Sequence, residues 1–99
     1  MERYSSRTID ELGRIVLHSD LRKRLKMKDG DSFSLTLVDT LLLLQKSEGN
    51  QEDGCVTGKI NELGMIDLPK NFRQNLNWKD GDAISVYNAD SIIILKSDD

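Results

Sequence analysis

Ile9-Asp10-Glu11-Leu12-Gly13-Arg14-Ile15-Val16-Leu17 returns 51 positions later as Ile60-Asn61-Glu62-Leu63-Gly64-Met65-Ile66-Asp67-Leu68. The match runs on without insertion: Arg22 falls on Arg73, Leu25 on Leu76, Lys28-Asp29-Gly30-Asp31 on Lys79-Asp80-Gly81-Asp82, Ser34 on Ser85, Asp39 on Asp90 and Leu44 on Leu95. Fifteen identities at one offset are too many for chance, and internal repetition at a fixed period marks a duplicated structural unit. Residues 1–48 are expected to form a first repeat and 58–99 a second. Between them, 49–57 contains the polar, glycine-flanked run Gly49-Asn50-Gln51-Glu52-Asp53-Gly54-Cys55, which reads as a linker.

Each copy carries the same ordered signals. A short strand is expected around Arg7 to Asp10 (Gly58 to Asn61), followed by a turn at Glu-Leu-Gly. In the second strand Ile15 and Leu17 alternate with Arg14, Val16 and His18. The second copy keeps Ile66 and Leu68 but puts Asp67 at the Val16 position, which is tolerable only on a face that meets water. Arg14 is therefore expected to point outward. A helix is expected over 20–26 and 71–77, with Leu21/Leu25 and Phe72/Leu76 on one face, Ser19 as N-cap and Pro69 at the second helix's entrance. Lys-Asp-Gly-Asp then turns the chain into a strand with Phe33, Leu35 and Leu37 (Ile84 and Val86) inward. The last strand, Leu41 to Leu44 or Ile92 to Leu95, is apolar on both faces and calls for burial on two sides. One unit of this size lacks the material, so the two copies are expected to pair within one chain as a pseudo-dimer and wrap their hairpins into a common barrel.

Composition narrows the functional classes. The chain has 99 residues, 37% hydrophobic and 31% charged, which suits a small folded domain. No long apolar run suggests a membrane span or signal peptide, so a cytoplasmic protein is expected. One Cys and one His make neither a disulfide nor a zinc site, no cofactor is implied, and nothing resembles an activated nucleophile; an enzyme is not expected. The twin Lys-Asp-Gly-Asp segments lack the further oxygens of a calcium loop and read as turns. Trp78, aligned with Met27, reads as core, and His18, aligned with Pro69, as a helix-entry residue.

The ordered combination of Ile-Asp-Glu-Leu-Gly-Arg-Ile-Val-Leu, Leu-Arg-Lys-Arg-Leu, Lys-Asp-Gly-Asp and a closing strand resembles the AbrB/SpoVT swapped-hairpin family, twice over nearly the whole chain. The resemblance implies a mainly β fold with short helices, a swapped-hairpin (double-split) β-barrel formed by two tandem ββαββ repeats. The tandem arrangement is also similar to MraZ-like regulators, without their additional helices. The chain is similar to MazE-type antitoxins as well, without a long tail after the last strand.

In that family, arginines flanking the Asp-Glu-Leu-Gly turn and a basic pair in the short helix contact DNA. Carried over by position, the resemblance assigns duplex-DNA contact to Arg7, Arg14, Arg22 and Lys23. Arginine's planar fork suits phosphate oxygens and guanine edges, whereas lysine at 23 keeps charge without bidentate geometry. Strict alternation puts Arg7 on the face of Ile9, so its exposure needs a strand end or a bulge. At the matching positions the second copy has Gly58, Met65, Arg73 and Gln74. The formal net charge of -3 opposes DNA binding. Yet residues 1–48 hold nine Lys/Arg against eight Asp/Glu, while 58–99 hold five against seven, so the acidic excess lies outside the first repeat. The expected protein is a nucleoid-associated transcriptional regulator that binds double-stranded DNA through repeat 1 as a homodimer or higher oligomer. The competing expectation is a protein-interaction or antitoxin-like module with a protein partner.

Overall fold

The computed structural model describes residues 2–47 and 55–97. Ten elements follow one another: β1 (Glu2–Thr8), β2 (Arg14–Val16), α1 (Ser19–Arg24), β3 (Ser32–Val38), β4 (Leu41–Lys46), β5 (Cys55–Lys59), β6 (Met65–Asp67), α2 (Lys70–Leu76), β7 (Ala83–Ala89) and β8 (Ile92–Ser97). The fold is mainly β with two short helices, and every strand pair is antiparallel.

Six strands form a sheet in the order β1-β7-β8-β4-β3-β5, and β2 with β6 form a two-stranded ribbon. Only β3–β4 and β7–β8 are pairs of sequence neighbours, joined through tight turns in which Asp39 and Asp90 both take φ of 54°. The remaining pairings join the two halves of the chain. β1 lies on β7 with Arg7 opposite Ile84, β5 lies on β3 with Gly58 opposite Phe33, and β4 lies on β8 with Leu42 opposite Leu95. The β2–β6 ribbon sets Arg14 opposite Asp67 and Ile15 opposite Ile66.

Side chains alternating inward from both halves make one core. Ile15, Leu17, Leu35, Leu42 and Leu44 pack with Ile66, Leu68, Val86, Ile93 and Leu95, all essentially inaccessible to water. Burying each such side chain stabilises by roughly 1.5–3 kcal/mol, so neither half could retain its stability alone. Trp78 and Met27, at the helix exits, belong to this core.

Backbone bonds lock the halves reciprocally. The Ile9 N–H donates to the Asp82 carbonyl and the Ile9 carbonyl accepts from the Gly81 N–H; Ile60 makes the same two bonds with Asp31 and Gly30. The Lys-Asp-Gly-Asp segments are thus turns, closed by the Lys28 and Lys79 N–H groups donating to the Asp31 and Asp82 carboxylates at 2.8 Å, and each docks the start of the opposite half's first turn.

Several expectations are corrected. Among the described residues the sheet does not close into a barrel: β1 and β5 are its edges, and β2 and β6 stand beside them. The strand apolar on both faces is buried on one, since Leu42 and Leu44 are inaccessible while Leu41 and Leu43 are half-buried; a single chain supplies only one covering layer. Ser19 is the first residue of α1, and the N-cap is His18, which makes no side-chain capping bond. α1 ends before Lys26, which adopts φ of 56°, and α2 ends at Leu76, capped by Asn77 with φ of 58°. β1 begins at Glu2, well before Arg7, and is paired with β7 from Glu2 to Thr8. β5 begins at Cys55, inside the stretch expected to be linker, of which 49–54 lie outside the described residues. No described helix is long and apolar enough to cross a membrane.

Candidate nucleic-acid interface

The Asp10–Gly13 turn is built around one carboxylate. Asp10 Oδ1 accepts from the Leu12 N–H at 2.9 Å and the Arg14 N–H at 2.8 Å, and Oδ2 accepts from Arg14 Nε at 3.0 Å. The Arg14 backbone N–H above all, joined by the Arg14 guanidinium and the Leu12 N–H, holds the Asp10 carboxyl below its ordinary range against an opposing desolvation. In the second half Asn61 Oδ1 accepts from the Leu63 and Met65 N–H groups, each at 2.9 Å. An amide oxygen therefore suffices to fold the turn. What aspartate adds is a tether for a guanidinium, and the half that lacks the arginine also lacks the acid.

Arg14 stands on the outer side of the β2–β6 ribbon, as the alternation requires, with its side chain 30% exposed. Nε engages Asp10 while the two Nη groups take no part in that bond, so the guanidinium is tethered through one edge. Lys23 is exposed on α1. Its neighbour Arg24 donates through Nη1 to the Asn88 side chain at 3.3 Å, linking α1 to the end of β7.

Arg22 has internal work. Its Nε donates to the Leu17 carbonyl at 3.2 Å, and its guanidinium lies over Gly64, where a Cβ would stand 2.9 Å from Cζ. Arg73 mirrors it: Nε donates to the Leu68 carbonyl at 2.9 Å, and a Cβ on Gly13 would stand 2.5 Å from Cζ. Gly13 and Gly64 have φ of 78° and 77°, so each is glycine both for its backbone and for the close approach of an arginine. A run of basic residues reads as a solvated helix face, which hid this role; its signal was the survival of Arg73 where the other basic positions changed.

Arg7 sits in β1 on the inward side with Ile9, half-buried, and its Nε is buried without a partner, as is Ser5 Oγ two residues earlier. The bulge that would free it falls between Arg3 and Ser5 instead. The matching position in β5 is Gly58, into whose gap Phe33 packs. The four expected contact residues thus divide. Lys23 is exposed, while Arg7, Arg14 and Arg22 are all half-buried: Arg14 leans on Asp10 at the outer face, Arg22 on Gly64 and the Leu17 carbonyl, and Arg7 faces inward. No group of three or more described His, Cys, Asp or Glu side chains is arranged to hold a metal.

No protein-family model and no curated protein matches the chain. Among solved structures it is similar to the solution structure of PHS018 from Pyrococcus horikoshii, with a TM-score of 0.56 and 21% identity, covering 96% of this chain and 90% of that one. At that identity the likeness is one of fold.

Proposed function

We propose that this chain is a DNA-binding transcriptional regulator of the AbrB/SpoVT type, made of two tandem ββαββ units in a swapped-hairpin, double-split arrangement. Support for the architecture comes from the crossed pairings β1–β7, β3–β5 and β4–β8, in which each half completes the other's sheet. Support for the function comes above all from Arg14, a guanidinium tethered by Asp10 on the outer side of a two-stranded ribbon. A major groove admits such a ribbon, and an oriented fork suits phosphate oxygens or a guanine edge. Lys23 adds a phosphate-directed charge, while Arg7 and Arg22 act mainly through packing. So few basic groups give a small footprint, and useful affinity calls for two chains on one operator, hence a homodimer on the nucleoid.

Fluorescence anisotropy with duplex DNA across a salt series tests this. Binding that weakens with salt and is lost in Arg14→Ala is expected; no binding at low salt, or full binding by that variant, overturns the proposal. A second reading, a protein-docking or antitoxin-like module, draws on Leu12 and Leu63, each 65% exposed at the tips of the two turns that flank the ribbon. Under that reading Leu12→Ser removes association with a protein partner and leaves DNA affinity unchanged.

A further inference from the structure

The second half retains only one of the four basic positions of the first: Gly58, Met65 and Gln74 replace Arg7, Arg14 and Lys23, while Arg73 remains. A DNA contact would have no reason to persist there alone. The retained residue reaches across the chain to the turn that carries Arg14. Arg73 Nε donates to the Leu68 carbonyl, the Leu68 N–H donates to the Gly13 carbonyl at 2.9 Å, and the guanidinium lies on the bare face of Gly13. Gly13 in turn closes its loop through its own N–H to the Asp10 carbonyl, and Asp10 holds Arg14. An unbroken chain of contacts runs from α2 of the second half to the Arg14 guanidinium in the first.

We infer that Arg73 is a positioning residue for the Arg14 contact, braced across the halves, and that this brace is what keeps an arginine at position 73. The inference rests on the DNA-binding reading of Arg14. Arg22 supplies the mirror brace to the Asn61–Gly64 turn, through the Leu17 N–H donating to the Gly64 carbonyl at 2.9 Å. That turn carries Met65 in place of an arginine, so the mirror brace has no such contact to position. The brace accounts for Arg73, while Gly64 is explained by its own positive φ and by the close approach of Arg22. Arg73 touches the turn and not the DNA, so its removal disorders the presentation of a contact without deleting one.

The test uses the full-length chain with Arg73→Gln, and Arg73→Lys as the milder variant should the first not fold. Amide exchange at Leu68 is read against Leu17, its counterpart in the mirror turn, and DNA affinity is followed across a salt series. The expected result is Leu68 exchange accelerated about tenfold relative to Leu17, since opening is local, with affinity reduced several-fold at unchanged salt slope. An unchanged Leu68-to-Leu17 ratio overturns the brace. So does a salt slope smaller by about one, the mark of a lost phosphate contact. Should the unmodified chain bind no DNA, the proposed function and the positioning role both fall, while the exchange ratio still reports whether Arg73 holds the turn.

Discussion

Phe33 occupies the space that Gly58 leaves empty: a Cβ at position 58 would stand 2.8 Å from the ring's Cζ and 3.3 Å from Cε1. The two face each other across the β3–β5 pairing, which joins the halves. Gly58→Ala forces the ring to shift in a filled core and is expected to cost about 1–3 kcal/mol. Urea denaturation measures it, and a change under about 0.5 kcal/mol would show that the ring has room.

At the corresponding place on the other edge, Arg7 lies opposite Ile84 with its Nε buried and unpartnered. A buried donor without a partner is a penalty, and methionine keeps much of the stem without it. Arg7→Met is expected to leave stability unchanged or raise it by up to about 1 kcal/mol, and to reduce DNA affinity less than Arg14→Ala does. Thermal melts and anisotropy check both parts; a loss of about 2 kcal/mol would mean that the guanidinium makes a bond of its own.

Asp10 links stability to acid. Its carboxyl titrates lower in the folded chain than in the unfolded one, so its contribution is complete above the ordinary value of 3.8 and is lost as pH falls through the lower folded value. Asp10→Asn keeps the turn, because Asn61 makes the same backbone bonds, and removes that part of the acid dependence. Stability curves taken below pH 5 should be flatter for the variant, and superimposable acid slopes would contradict the linkage. The variant should also bind DNA less well, its Arg14 no longer tethered.

Gly13 and Gly30 have similar backbones, with φ of 78° and 84°, but a Cβ on Gly30 would meet nothing within 4 Å. Both Ala variants carry the left-handed penalty of roughly 1–2 kcal/mol, and only Gly13→Ala also collides with Arg73. Gly13→Ala is expected to be the more damaging by about 1 kcal/mol or more, with Gly30→Ala as its control. Equal losses in chemical denaturation would show that the arginine moves aside at no cost.

Much of the local structure was legible in the repeated phrase. Alternation at Ile15, Leu17, Ile66 and Leu68 placed Arg14 outward, and the Asp-Gly turns marked where strands begin. Pairing across the halves left no local periodicity to read, because register between distant strands is chosen by the whole core. β1 was seen late for a similar reason: Ser5, Ser6 and Thr8 carry little apolar signal, and an edge strand requires little. The basic residues were the least transparent. Arg22 and Lys23 are adjacent and alike in charge, yet one lies across a glycine of the opposite half and the other faces water. Their difference is angular, and only the helix's placement supplies it.

Glu2 pairs with Asn88, so β1 must wait until β7 has been synthesised. At 5–20 residues per second that interval is on the order of several seconds, during which β1 lacks the strand it pairs with. Completion of the sheet at β1 is therefore late, and its success depends on what shields an unpaired strand meanwhile. A message cut short in β7 would leave β1 without the strand that holds it.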